Sequence, residues 1–145
     1  MKKRTFAIVT LLALFIIAAA GLGHAQQSVM VNIPFEFVVG DRTLPAGDYD
    51  IQRPATGRPE VLLIHRTDGS ASAIVLTMPV EANDWQPESK LLFNRYGDRY
   101  FLSQIWTAGE RFGRELYKSR AEKELASMET KREVTLVARV SPANR

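Results

Sequence analysis

The sequence contains no cysteine, and its 145 residues include only two histidines, His24 and His65. Without cysteine there is no disulfide, so the folded chain must be stabilised by packing alone. The same absence excludes thiolate catalysis, zinc-thiolate sites, dithiol redox chemistry and a lipoprotein anchor on an acylated cysteine. Two imidazoles are too few for a histidine-rich metal site within one chain.

The motifs that commonly carry catalysis or phosphate binding are missing as well. There is no G-x-G-x-x-G, no G-x-x-x-x-G-K-[ST] and no G-x-S-x-G nucleophile elbow. His65 is formally available as the base of a Ser-His-Asp triad, but its position inside an apolar run is typical of a structural histidine. Asp48 and Asp50 share one strand face, yet calcium needs six or more oxygen ligands. We therefore predict a non-enzymatic protein with no cofactor and no catalytic, metal-binding or cofactor-binding residue.

Residues 1–25 have the three parts of a secretory signal peptide. Lys2, Lys3 and Arg4 are followed by an uncharged run over residues 5–23, and Gly23-His24-Ala25 places small residues at the −3 and −1 positions of a cleavage site. An uncleaved anchor is the alternative, because the run is close to spanning length. With no twin arginine, we predict export by the general secretory route to the periplasm or the medium, with membrane contact only through the leader.

Residues 26–145 have the size of one domain, which we predict to be rich in β-structure. This part of the chain carries 16 basic and 16 acidic side chains, so bulk charge does not favour nucleic-acid binding. The charge is unevenly placed, because residues 111–145 hold nine basic and five acidic side chains.

Alternation of apolar and polar side chains over Val29–Val39 predicts a strand with one face in a core. Because Pro34 cannot donate a hydrogen bond to a neighbouring strand, we expect an edge position or a bulge there. Asp68-Gly69 and Gly97-Asp98 are turn pairs typical of hairpins, whereas residues 108–117 are ambiguous. Seven strands are predicted, at about Val29–Val39, Asp48–Arg53, Glu60–Arg66, Ala71–Met78, Lys90–Tyr96, Arg99–Thr107 and Glu133–Val140.

One helix is predicted over Arg120–Glu129. Ser119 and Glu122 have the spacing of a capping box, in which each side chain satisfies the other residue's free amide. The apolar positions expected to pack on the sheet are Ala121, Leu125 and Met128. The charged positions expected at the helix surface are Glu122, Glu124 and Glu129.

The order of these elements predicts a mainly β protein. It is either an antiparallel sandwich or a small barrel of about seven strands, with one short helix near the C-terminus. A curved sheet holding a helix on one face is also open. Most strand aromatics are expected in the core, although in a barrel some could instead line an apolar cavity.

A contact surface is predicted from the exposed aromatic and basic residues. Trp85 lies in a polar loop, and basic residues over 111–123 alternate with Phe112 and Tyr117. That segment is either a solvated approach to a surface helix or a patch for an anionic partner. The predicted contact surface comprises Trp85, Arg111, Arg114, Lys118, Arg120 and Lys123.

Several motifs resemble a family of small exported bacterial proteins of unknown function. They are VNIPFEF at Val31–Phe37, LPAGDY at Leu44–Tyr49, LLFNRYG at Leu91–Gly97, YFLSQIW at Tyr100–Trp106 and SRAEKE at Ser119–Glu124. The resemblance spans most of residues 26–145. It implies an exported, mostly β domain and supplies no activity, ligand or catalytic residue.

From the residues we predict a non-catalytic binding or structural module of the bacterial cell envelope. Its partner is expected to be an envelope protein or an apolar small molecule. The alternatives are a small carrier that holds an apolar ligand in a β-barrel cavity and a hydrolase that uses His65.

Overall fold

The computed structural model describes residues 27–54 and 57–142, and the signal peptide predicted for residues 1–25 lies outside these ranges. The described residues form ten strands and one helix. In chain order these are β1 Gln27–Ile33, β2 Phe37–Val39, β3 Arg42–Leu44, β4 Gly47–Gln52, β5 Val61–Arg66, β6 Ser72–Glu81, β7 Ser89–Tyr96, β8 Arg99–Trp106, β9 Phe112–Leu116, α1 Arg120–Met128 and β10 Arg132–Pro142.

Eight of the strands within the described residues form a closed antiparallel barrel. The order around the ring is β8, β7, β10, β1, β4, β5, β6 and β9, and β9 pairs back to β8 through Gln104 with Glu115 and Ile105 with Arg114. β2 and β3 form a hairpin outside the ring, in which β2 pairs in parallel with the other end of β8. The predicted mainly β class with one short C-terminal helix is confirmed, and the chain forms the barrel rather than the sandwich.

Two long strands allow the ring to close. β6 pairs with β5 through its first half and with β9 through Thr77–Glu81, while β10 pairs first with β7 and then, from Arg139 onward, with β1. Each of these strands therefore crosses from one curved half of the barrel to the other. A sheet closes into a barrel only when its strands tilt and stagger in this way.

Two sequence predictions about the strands are wrong in their details. The predicted first strand breaks into β1 and β2, and β1 is not an edge strand, because β10 and β4 flank it on either side. The chain accommodates Pro34 by ending the strand at Ile33. β9 is an additional strand in the ambiguous segment, and its sequence FGREL lacks the strict alternation that predicts one.

The half of the barrel next to β2 is filled by aromatic side chains. Phe37 packs edge-to-face on Tyr49 at 5.1 Å and on Phe93 at 5.7 Å between ring centroids, and Phe35 packs on Phe93 at 5.2 Å. Phe37, Tyr49 and Phe93 are almost wholly buried. The predicted core role is confirmed for these three rings, each of which would cost about 3 to 5 kcal/mol of stability if truncated to alanine.

The helix α1 lies outside the barrel and covers a small second core. Leu125 packs against Val38, Tyr96 and Phe101, which are buried on the outer side of β2, β7 and β8. The predicted helix is confirmed to within one residue, and Ser119 caps it by accepting a hydrogen bond from the Glu122 amide. No helix of the described residues is long and apolar enough to cross a membrane.

The predicted faces of α1 are partly wrong. Met128 is 72% exposed and Ala121 is also exposed, so of the predicted stripe only Leu125 contacts the sheet. Glu122 is buried at 4% exposure instead of lying at the surface. Its side chain therefore turns toward the sheet. A reciprocal capping box would require it to turn back to the start of the helix.

Candidate binding site at the barrel mouth

A cleft of about 520 Å³ opens at one end of the barrel. At this end β1 begins, β4 ends, β5 begins, β8 ends and β9 begins. The floor of the cleft consists of four aliphatic side chains that are all at least 95% buried and belong to the main core: Val29, Ile51, Leu62 and Ile105. We call this space the mouth cleft.

Strand alternation places a polar layer directly above that apolar floor. Side chains two residues apart lie on the same face of a strand. Gln27 therefore lies on the same face as Val29, Arg53 on that of Ile51, and Thr107 on that of Ile105. All three line the mouth cleft. The cleft therefore has an apolar base and a polar rim, because Gln27 begins β1 while Arg53 and Thr107 directly follow the ends of β4 and β8.

Arg114 completes the rim from β9. It stands directly opposite Ile105 of β8 and Pro79 of β6, so its side chain shares their face, and it is half-buried. Burial lowers the pKa of Arg114 below its ordinary value, the charge of Arg53 lowers it further, and Glu60 partly offsets both effects. The guanidinium nevertheless remains charged at physiological pH. The rim thus places two interacting positive charges, Arg53 and Arg114, above an apolar floor, while the exposed carboxylate of Glu110 also lines it.

The position of Arg114 depends on the glycine before it. A Cβ atom at Gly113 would lie 2.7 Å from two ring carbons of Trp106 and 3.0 Å from the carbonyl oxygen of Ile105. Gly113 therefore lets β9 approach β8 closely enough to close the ring beneath the indole of Trp106. This close approach is a clear case of a glycine required by contact with a neighbouring strand.

The predicted contact surface divides into two parts. Trp85 is 67% exposed in a loop that is joined to the mouth end by hydrogen bonds between Gln86 and the main chain of Gly109 and Glu110. Arg111 follows and pairs with Glu81 at 3.1 Å. Trp85, Arg111 and Arg114 therefore lie at or near the mouth.

The other three predicted residues belong to α1 or its approach. Lys118, Arg120 and Lys123 are exposed, and Arg120 forms an ion pair of 3.1 Å with Glu124. None of the three lines the mouth cleft. The structure therefore does not bring the six predicted residues together into one surface.

His65 lies in a row with a carboxylate and a serine on the outer face of the barrel. Asp50 of β4 and Ser72 of β6 stand directly opposite His65 of β5 on either side. The His65 Nε2 and Asp50 Oδ2 atoms are 4.0 Å apart, which exceeds hydrogen-bond length, and neither His65 Nδ1 nor Asp50 Oδ1 has a partner among the described residues. The row lacks the hydrogen bonds that orient the members of a catalytic triad.

A second hollow of about 550 Å³ lies on the outer surface where β1 and β10 separate. Of its lining side chains only Val31 and Tyr49 are buried, and most of the others, including Met30, Val137 and Arg139, are exposed. The mouth cleft is therefore the better-formed site. Among the described residues no group of three or more histidines and acids could hold a metal ion.

Part of this site could be read from the sequence. Arg114 is one of the predicted contact residues, whereas Arg53 is not, because nothing near Pro54 indicates a site. The floor residues have no local signal beyond being apolar strand positions. Only the closure of the ring brings them under the two arginines.

Comparison of the chain with protein-family models, with curated proteins and with solved structures found no match. The resemblance to a family of small exported bacterial proteins therefore stays a prediction.

Proposed function

We propose that this protein is a non-catalytic binding protein of the bacterial envelope, which takes the apolar part of a small molecule into its mouth cleft. The observation that carries this proposal is the cleft itself, about 520 Å³ in volume over a floor of buried aliphatic side chains. Sites for small molecules are concave, of roughly 300 to 1,000 Å³, and mostly apolar with a few polar groups that fix orientation.

In this proposal the ligand binds at the end of the barrel, whereas in the carrier alternative it is held in a cavity inside the barrel. A carrier with an aromatic-lined internal cavity needs free space beside the strand aromatics, yet Phe37, Tyr49 and Phe93 pack on one another and are buried. The opposite end of the barrel offers the concave surface. A ligand would therefore sit partly exposed at the mouth rather than enclosed within the barrel.

Two features support a role in the envelope without catalysis. The sequence of residues 1–25 favours export to the envelope. Among the described residues that line the mouth cleft, the polar side chains are two glutamines, two arginines, a threonine and a glutamate, and no hydrogen bond joins the threonine hydroxyl to a base. This set is suited to holding a ligand by charge and hydrogen bonds.

The test is a titration of protein 26–145 with a neutral fluorescent probe such as N-phenyl-1-naphthylamine. We expect saturable binding to the wild type. In Gln27→Trp the indole would occupy the space at the rim, so the affinity for the probe should be at least about tenfold weaker, which corresponds to about 1.4 kcal/mol of binding free energy. The matched control is Met30→Trp, on the opposite face of the same strand. Absence of saturable binding, or an equal loss in both variants, would reject the proposal.

A further inference from the structure

We infer that the ligand of the mouth cleft is an amphipathic monoanion, an aliphatic chain with one carboxylate, whose head group is held at the rim between Arg53 and Arg114. This inference rests on the proposed function and adds the chemical class of the ligand. The rim and the floor act together, since neither alone selects a ligand.

The positions of the two arginines are the first support. Each follows the face of a floor residue: Arg53 lies two residues after Ile51, and Arg114 stands opposite Ile105. Both side chains line the mouth cleft. A molecule with its chain on the floor would thus present its outer end to both guanidinium groups.

The electrostatics of Arg114 are the second support. Its positive charge is half-buried, so it has lost part of its hydration, and Arg53 repels it further. Glu60 attracts Arg114, but Glu60 does not line the cleft. A carboxylate placed between the two arginines would offset both the lost hydration and the mutual repulsion, because guanidinium binds carboxylate through paired, charge-assisted hydrogen bonds.

The charge of the rim argues for one negative charge rather than two. The charged residues that line the mouth cleft are Arg53, Arg114 and Glu110, with a net charge of +1. Glu110 would repel a second acidic group on the ligand. The rim therefore favours a carboxylate monoanion over a dianion such as a phosphate monoester.

The floor argues for an aliphatic chain. It is made of branched aliphatic side chains, with no aromatic ring among its buried members and no buried polar group to pair with a polar ligand. A polar ligand body would lose its hydrogen bonds to water without replacement there, which costs free energy. An unbranched alkyl chain makes no hydrogen bonds to water and therefore loses none on the floor.

Three probes of equal chain length test the inference by calorimetric titration of protein 26–145: decanoate, decan-1-ol and decylammonium. We expect decanoate to bind about tenfold more tightly than decan-1-ol, because hydrogen bonds to charged groups at a partly exposed rim contribute on the order of 1.4 kcal/mol. Decylammonium should bind more weakly than decan-1-ol. If no probe binds, both the proposed function and this inference fail. If decan-1-ol or decylammonium binds as tightly as decanoate, the inference fails and the proposed function stands.

Variants locate the head group. In Arg114→Gln, decanoate should bind no more tightly than decan-1-ol, whose affinity should be unchanged. The matched control is Arg111→Gln, which removes a neighbouring arginine that pairs with Glu81 and does not line the cleft. Arg53→Gln, at an exposed position, gives the same readout if Arg114→Gln does not fold. A decanoate preference that survives the loss of either rim arginine, or that is lost in Arg111→Gln, would overturn the inference.

Discussion

Asn94 donates a hydrogen bond of 2.8 Å to the carboxylate of Glu122, and both side chains are buried between α1 and the outer side of the barrel. The Tyr96 hydroxyl approaches the same oxygen at 3.4 Å. A carboxylate in such a place would cost free energy without these partners. The pair therefore fixes where α1 lies on the barrel, beside the contact of Leu125.

Glu122→Ala should lower the free energy of unfolding by about 2 to 3 kcal/mol, because it leaves the buried Asn94 amide without its acceptor. The matched control is Glu124→Ala in the next turn, where an exposed ion pair with Arg120 contributes about 0.5 kcal/mol or less. Chemical denaturation of both variants makes the comparison. Equal effects would mean that Glu122 does not anchor the helix.

Alkaline pH should destabilise the fold through its buried tyrosines. Burial raises the pKa of Tyr96 above its ordinary value of 10.0, and the charge of Glu122 raises it further. Above about pH 10 the unfolded chain loses this proton while the folded chain keeps it. The stabilising contribution is therefore complete below the unfolded pKa and is lost as pH rises through the folded pKa.

Tyr96→Phe should consequently reduce the loss of stability between about pH 8 and pH 11, whereas Tyr117→Phe, at a 58% exposed position, should not. Denaturant unfolding at the two pH values gives the comparison. A steeper loss of stability with pH in Tyr96→Phe than in the wild type would contradict this prediction.

Gly113→Ala should destabilise the barrel by about 1 to 3 kcal/mol, since its methyl group would overlap the Trp106 ring and crowd the Ile105 carbonyl. The same change should weaken ligand binding, because β9 carries Arg114. Trp106→Leu provides the second arm of a double-mutant cycle. The double variant should be less destabilised than the sum of the single variants, and strict additivity would show that the two residues do not meet.

The charged surface of α1 should play no part in ligand binding. Arg120→Gln and Lys123→Gln remove exposed charges that lie outside the mouth cleft, so each should change the affinity for decanoate by less than about twofold and the free energy of unfolding by less than about 0.5 kcal/mol. A tenfold loss of affinity in either variant would move the anion site to the helix.

The sequence predicts those parts of the fold whose signal is local. The alternation of Lys90–Tyr96 and Arg99–Thr107 around Gly97-Asp98 predicts the β7–β8 hairpin, and Ser119 predicts the start of the helix. Both depend on residues within a few positions of one another. Strand periodicity alone does not distinguish a barrel from a sandwich, because closure depends on how closely β9 approaches β8.

The sequence gives little local indication of the site, because the residues that meet there are far apart along the chain. Glu122 has the spacing of a surface charge, and only the distant Asn94 makes its burial favourable. The rim arginines are separated by 61 positions in the sequence and come together only when the ring closes. Such pairs follow from topology and cannot be read from spacing along the chain.

The most direct test of the claim that the ligand binds in the mouth cleft is a methyl-resolved NMR titration of protein 26–145 with decanoate. Binding at the mouth predicts shifts in the methyl signals of Val29, Ile51, Leu62 and Ile105, with Leu125 beneath the helix unchanged. Shifts confined to Ile74 and Leu76, which are exposed on the outer face of β6, would contradict the claim and place the ligand on the outside of the barrel.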